Sequence, residues 1–308
     1  MWQSTGKFLA DPPVAIGSNR SRKGSQRMAV EVRLPNGMRV ACLQRHEVRL
    51  VNREIESYFP HGFHINPGDT VFDVGANIGL FSLAACVRCD YKLRAYAFEP
   101  VRAIFDLLSR NIERHAPSDV VEALDFGLSS ETKAVELAFY PKAPVLSTTY
   151  PDEAADVEAM MGAVLRSIIY LEEAPVALKC LRWLPPTLRR TLVKAALRRT
   201  LRRETVTCEM RTVSDFVRDR RIERINYLKI DVERAELDVL NGINPDDWRK
   251  VERVVVEVHD IQDRLRTIIS LLSQHGLDKI VVSQTPTLID SNIFVVFAAR
   301  SPQTRWQY

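Results

Sequence analysis

Thr70-Val71-Phe72-Asp73-Val74-Gly75-Ala76-Asn77-Ile78-Gly79 is the stretch that decides the fold. Val71, Phe72 and Val74 make a short strand of the buried kind, a glycine turn follows, and Leu80 to Ala85 continue as an apolar helix. At the end of a parallel strand such a turn opens a crevice, and its backbone N–H groups and the helix N-terminus face a ligand there. Gly75 lets the chain reverse close to that ligand, and Gly79 lets the helix pack tightly. Asp73 is expected at the mouth, where a carboxylate suits a cationic ligand better than a pyrophosphate.

The next apolar run, Leu93 to Phe98, ends at Glu99-Pro100, with Glu99 twenty-four residues after Gly75. An acid at that distance, at the tip of the neighbouring strand, is placed to accept hydrogen bonds from ribose hydroxyls. Asn77 stands where a dinucleotide site carries its middle glycine, so an adenosyl ligand without phosphates fits better. S-adenosylmethionine is the expected cofactor, held by the turn Gly75, Ala76, Asn77 and Gly79 with Asp73, Glu99 and Pro100.

Outward from this unit the chain alternates strand and helix. A Pro35-Asn36-Gly37 turn between two apolar runs predicts a hairpin, and Glu47 to Phe59 reads as a helix from which Glu54 could cap the cofactor. Pro100 is expected to open a helix with Val101, Ile104, Phe105, Leu108 and Ile112 on one face. Val120 to Phe126 reads as the third strand, placing Asp125 where it could accept from an adenine amino group. Val135 to Tyr140 resembles another strand. Ile225 to Asp231 and Val251 to Val258 follow, the second an almost unbroken apolar run of the kind covered on both faces. Lys279 to Ser283 and Asn292 to Ala298 lie too close for a helical crossover and should pair antiparallel. The result is an α/β, doubly wound sheet of seven strands whose last strand is antiparallel.

Expected boundaries are a disordered tail over 1–28, an N-terminal hairpin and helix over 29–66, and a catalytic domain over 67–300 with a helical insertion over 141–203. Arg182 to Arg203 carries eight basic residues and no acid. Leu184, Leu188, Leu192, Ala195 and Ala196 would form its apolar face. The insertion reads as a lid over the substrate that also meets an acidic partner. Five cysteines without a secretory signal suggest reduced thiols in a cytoplasmic protein, and Cys86 and Cys89 read as packing residues. No apolar run approaches a membrane span.

Taken together, Gly68 to Gly79, Ala97-Phe98-Glu99-Pro100, Leu228-Lys229-Ile230-Asp231-Val232-Glu233 with Ala235-Glu236, and Val256-Glu257-Val258-His259 resemble the FkbM-type family of S-adenosylmethionine-dependent methyltransferases. The resemblance spans roughly residues 30 to 300. It implies a Rossmann-like class I methyltransferase fold and O-methylation of a hydroxyl on a natural product or sugar. Arg234 departs from the glycine that the family often carries there.

Methyl transfer from a sulfonium is an in-line displacement governed by positioning, and an alcohol acceptor also calls for a base. His259, expected at a central strand tip beside the crevice, is the candidate base, with Asp231 and Glu236 beside it as catalytic residues. Asp231 is also a candidate for the cofactor's amino group. Strand alternation puts Glu257 and His259 on one face, which suits a metal ligand pair or a base with its orienter; the second reading is preferred, and no metal is expected. The expected substrate is a small hydroxylated polyketide or nonribosomal peptide intermediate, free or tethered to an acyl or peptidyl carrier protein. Two other functions fit the same residues. One is a nucleic-acid methyltransferase using the basic stretch as a phosphate surface, against which stands the lack of an Asn-Pro-Pro-aromatic motif. The other is a catalytically silent adenosyl-binding partner protein.

Overall fold

The computed structural model describes residues 29–60, 63–152, 183–284 and 291–300. The expected tail and residues 153–182 of the expected insertion lie outside them. The first two strands, β1 (Val30–Arg33) and β2 (Arg39–Cys42), form the antiparallel hairpin predicted from Pro35-Asn36-Gly37. Helix α1 (Arg45–Glu54) follows and runs into a 3-10 turn, Ile55–Tyr58.

Next come β3 (Thr70–Val74), α2 (Leu80–Arg88), β4 (Arg94–Phe98), α3 (Arg102–His115) and β5 (Val121–Leu124). After a second small sheet the pattern resumes with β9 (Tyr227–Ile230), α6 (Glu236–Asn241), α7 (Pro245–Trp248), β10 (Arg253–His259), α8 (Arg264–Gln274), β11 (Lys279–Ser283) and β12 (Ile293–Ala299). The sheet order is β11-β12-β10-β9-β3-β4-β5. Strands β5, β4, β3, β9 and β10 are mutually parallel, and β12 inserts antiparallel between β10 and β11. This is the doubly wound, seven-stranded arrangement expected. Strand order reverses between β3 and β9, and in an open α/β sheet the crevice at such a switch point is where ligands bind.

Central strands carry the apolar residues that two covered faces require. On one face Phe72, Phe98 and Phe216 meet edge-on or tilted, with centroids 5.0–5.6 Å apart. Offset aromatic contacts of this type add to simple area burial. Phe216 belongs to α5 (Val213–Arg220), whose N-cap Thr212 accepts a hydrogen bond from the Asp215 N–H at 2.9 Å. That helix was not anticipated.

The strand expected over Val135 to Tyr140 is real but lies outside the main sheet. As β7 (Lys133–Phe139) it joins β6 (Gly127–Leu128) and β8 (Glu204–Arg211) in a separate three-stranded sheet, order β6-β8-β7. Strand β8 follows directly on the insertion, and it sets Cys208 and Met210 inward while Thr207 and Glu209 face out.

Two other expectations need correction, and a third holds. Helix α3 starts at Arg102 with Val101 as N-cap, so Pro100 precedes the helix rather than opening it. Helix α4 (Pro186–Thr200) buries Val193 and Leu197, whereas Leu188 and Leu192, expected on its apolar face, are 46% and 43% exposed. Cys86 and Cys89 are buried free thiols, as expected of packing residues.

Gly75 and Gly79 hold the turn after β3. Both have φ in the left-handed region, +74° and +88°. A Cβ on Gly75 would stand 1.9 Å from the Asp231 carbonyl oxygen, where the turns after β3 and β9 touch. A Cβ on Gly79 would meet Leu108 Cδ1 of α3 at 2.7 Å. The Gly75→Ala variant should therefore force the two strand ends apart, costing about 3 kcal/mol. Thermal unfolding should show a Tm lower by roughly 5–10 °C; an unchanged Tm would refute the close approach.

Candidate active site

Over the carboxyl ends of β3, β4, β9 and β10 lies a cavity of about 530 Å3, within the roughly 300–1,000 Å3 range of small-molecule sites. The turn after β3 forms its floor, α1 and the Ile55–Tyr58 turn one side, β7 and the segment 144–150 another. Val48, Val51, Ile78, Leu137, Val145 and Leu146 give much of the wall an apolar character.

Glu99 sits at the tip of β4, buried but open to the cavity. Its Oε2 accepts the Asn77 N–H at 3.1 Å and its Oε1 the Val101 N–H at 2.9 Å. Burial pushes its pKa up to about 7 against the pull of these two N–H groups. Each oxygen keeps a further lone pair for a ligand hydroxyl. Ala76, Asn77, Gly75, Pro100, Glu54 and Asp231 also line the cavity, as the motif reading placed them.

Asp73 does not. It is 0% exposed, lies beneath the floor, accepts from Ser82 Oγ at 2.7 Å and pairs with Lys229 Nζ at 3.1 Å. The same ammonium donates to the Gly75 carbonyl at 3.0 Å and lies 3.5 Å from Asp231 Oδ2. Burial alone would drive Lys229 toward its neutral form, but Asp73 and Asp231 hold its pKa above the ordinary lysine value. Asp73 thus braces the turn through Lys229 instead of meeting a ligand. Gly79 likewise packs on α3 and does not line the cavity. Asp125 lies one residue beyond β5, exposed, 3.4 Å from Arg102 Nη1, and away from the cavity wall.

The candidate base is also differently placed. His259 is buried behind the wall with both ring nitrogens on carboxylates: Nδ1 is 2.9 Å from Glu236 Oε1, and Nε2 is 3.2 Å from Glu233 Oε2. Burial works against the charged ring, yet Glu233 and Glu236 together raise its pKa to about 11. A ring donating from both nitrogens has no lone pair with which to take a proton. Glu236, fully buried, also accepts the Arg234 N–H at 2.7 Å and lies 3.4 Å from Arg264 Nη1. Neither His259 nor Glu236 lines the cavity. Glu257 is not the orienter of His259; its Oε2 instead accepts from Tyr58 OH at 3.2 Å, and Tyr58 OH is equally close to Asp231 Oδ2.

The cavity wall at this end is therefore acidic, with Glu54, Asp231 and Glu257 around Tyr58 and Glu233 beside these carboxyls. Burial, then neighbouring carboxylates, raises Glu54 to about 7 and Glu257 well above the ordinary carboxylate range. Elsewhere on the wall, Glu47 of α1 is a buried carboxyl pushed up to about 8 by burial. Among the described residues no group of three or more His, Cys, Asp or Glu is arranged to hold a metal ion. No helix among them is long and apolar enough to cross a membrane.

The strand order with its antiparallel insertion between β10 and β11 is that of the Rossmann-like methyltransferases. Comparison with known proteins agrees. The family model for the methyltransferase FkbM domain matches residues 73–278. The 31-O-demethyl-FK506 methyltransferase FkbM of Streptomyces tacrolimicus is 34% identical over 273 residues, covering 88% of this chain and 96% of that protein. The AMB antimetabolite synthetase AmbE of Pseudomonas aeruginosa is 34% identical over 279 residues, 88% of this chain but 12% of the synthetase. Methyltransferase sdnD of Sordaria araneosa is 33% identical over 222 residues, 68% of this chain and 73% of that one. The chain belongs to the FkbM methyltransferase family. It is a methyltransferase.

Lys229 and Tyr58 escaped the sequence reading, although a lysine inside the apolar run of β9 was the available signal for the first. Removing the cation strands a buried carboxylate, a change that costs about 3–5 kcal/mol. Lys229→Met should lower the urea midpoint accordingly, and Asp73→Asn in the same chain should restore part of the loss. Equal stability of Lys229→Met and the parent would remove Lys229 from its bracing role.

Proposed function

We propose that the chain transfers the methyl group of S-adenosylmethionine to a hydroxyl of a small, largely apolar molecule. The observation that carries this reading is Glu99. It is a buried acid at the tip of the strand next to the glycine turn, its oxygens already oriented by two backbone N–H groups and still able to accept from a ribose diol. The acidic wall suits the cofactor as well. Glu54 and Asp231 face the cavity where an ammonium or sulfonium would need negative charge. When bound, the sulfonium supplies an activated methyl group.

The protein's own contribution is then positioning and proton management. The Gly75–Asn77 turn and Glu99 hold the adenosyl part; the apolar wall from α1, β7 and the 144–150 segment excludes water and receives an apolar acceptor. Support for a natural-product acceptor comes from the relatives, since the FkbM protein acts, by its name, on 31-O-demethyl-FK506. A carrier-tethered acceptor is favoured by the match to a short part of the much longer AmbE synthetase. The basic residues Arg198, Arg199, Arg202 and Arg203, exposed at the end of α4 and after it, would complement an acidic carrier. A cytoplasmic setting is part of this proposal.

Radiolabelled S-adenosylmethionine offered with 31-O-demethyl-FK506 and simpler secondary alcohols as probes should pass its label to an ether oxygen with matching release of S-adenosylhomocysteine. Label found in RNA, or binding without turnover on any probe, would favour the two competing functions instead. Glu99→Ala should weaken S-adenosylmethionine binding roughly 10–100-fold by calorimetric titration, the worth of hydrogen bonds to a charged group. An unchanged Kd would overturn the cofactor assignment.

A further inference from the structure

We infer that Glu233, not His259, takes the proton from the acceptor hydroxyl, and that His259 is a positioning residue behind it. This rests on the methyl-transfer reading above. Glu233 lines the cavity, whereas His259 and Glu236 do not. The three form a line from the cavity inward. Glu233 Oε2 meets His259 Nε2 at 3.2 Å, and His259 Nδ1 meets Glu236 Oε1 at 2.9 Å. Glu233 Oε1 makes no hydrogen bond among the described residues and is the oxygen left for a substrate.

The backbone is organised to present that carboxylate. Glu233 and Arg234 have φ of 44° and 76°, two consecutive non-glycine residues in the left-handed region. Such conformations cost of order 1–3 kcal/mol each and persist where surrounding contacts enforce them. Three such contacts hold this turn: Thr148 Oγ1 donates to the Glu233 carbonyl, Arg264 Nη1 donates to the Arg234 carbonyl at 2.7 Å, and the Arg234 N–H donates to Glu236 Oε1 at 2.7 Å. Arg234 Nη1 in turn donates to the Tyr150 carbonyl at 3.2 Å. Thr148 and Tyr150 both line the cavity, so the segment that walls the acceptor end also fixes the strained turn.

Two of the neighbouring wall carboxyls are engaged by other groups, and Glu54 does not touch His259. Asp231 and Glu257 share the Tyr58 hydroxyl, and Asp231 is also near Lys229. The charged or titratable groups around Glu233 are His259, Asp231, Glu236, Glu54 and Glu257. Burial raises its pKa above the ordinary glutamate value, and His259 is the cation that opposes this. In the step itself the acceptor O–H bond breaks and its proton passes to Glu233 Oε1. The oxygen's electron pair closes on the methyl carbon, and the carbon–sulfur pair stays on sulfur. Carboxylate and sulfonium charges are lost together, which a water-poor cavity favours.

Two measurements test this on the full chain. First, NMR of protein labelled with 15N-histidine, and separately with 13Cδ-glutamate, needs no acceptor. His259, assigned by its loss in His259→Asn, should stay doubly protonated from pH 6 to 9. The Glu233 signal, assigned by its loss in Glu233→Gln, should titrate above the ordinary glutamate range and move to higher pH in His259→Asn, because the opposing cation is gone. A neutral His259 ring titrating near pH 6.5, or a Glu233 carboxylate ionised throughout, overturns the inference. Second, on a probe alcohol that the parent methylates, Glu233→Gln should lower kcat at least roughly 100-fold, with S-adenosylmethionine Kd within threefold and Tm retained. His259→Asn should keep more activity and shift the acid limb of the pH–rate profile upward. Near-parental kcat in Glu233→Gln overturns the inference. A parent silent on every probe counts against the methyl-transfer reading and leaves the NMR result to decide the roles of the two residues.

Discussion

A single ammonium under the floor of the cavity holds the switch point together. Lys229 reaches from β9 to Asp73 on β3, to the Gly75 carbonyl in the turn, and toward Asp231 at its own strand end. Two strands whose helices lie on opposite faces of the sheet have no covalent reason to keep their tips in register. A buried charge with three partners supplies one, because leaving any of them unpaired in a low-dielectric interior is costly. Gly75 is needed for the same reason: only a residue without Cβ lets the β3 turn lie against the Asp231 carbonyl. The floor of the site is thus set before any ligand group is considered.

Above that floor the cavity divides its tasks by charge. In the proposed reading Glu99, oriented by the Asn77 and Val101 N–H groups, addresses a neutral polyol with hydrogen bonds. Glu54, Asp231, Glu233 and Glu257 crowd the other end, and burial, followed by mutual repulsion, raises the pKa of Glu54, Glu233 and Glu257. Crowded carboxyls of this type are expensive to maintain in a free protein and point to a site that serves a cation or a proton. Sulfonium chemistry asks for both.

The fold was largely legible because its determinants are local. The apolar periods of β3, β4 and β10, the turn glycines and the short link before β12 each act within a few residues. What stayed hidden depends on distant partners. Asp73 reads as a mouth carboxylate until Lys229, far along the chain, claims it. Asp125 missed the cavity because it follows the end of β5 on the exposed side, beside Arg102 of α3. His259 reads as a cavity residue although Glu233 lines the cavity in its place and meets its ring, because burial order along a turn cannot be read from spacing. Strand β8 went unseen because its alternation follows directly on a basic run that has its own helical pattern. The Leu188 and Leu192 face of α4 was inverted for a related cause: two adjacent apolar stripes compete on that helix, and sequence does not say which one is covered.

The account depends on an adenosyl methyl donor resting between the Gly75 turn and Glu99. A crystal structure with S-adenosylhomocysteine tests it most directly. The account predicts both ribose hydroxyls within hydrogen-bond distance of Glu99 and the sulfur turned toward the Glu233 end of the cavity. Electron density for the ligand elsewhere, or a ribose that leaves Glu99 unbonded, would contradict it.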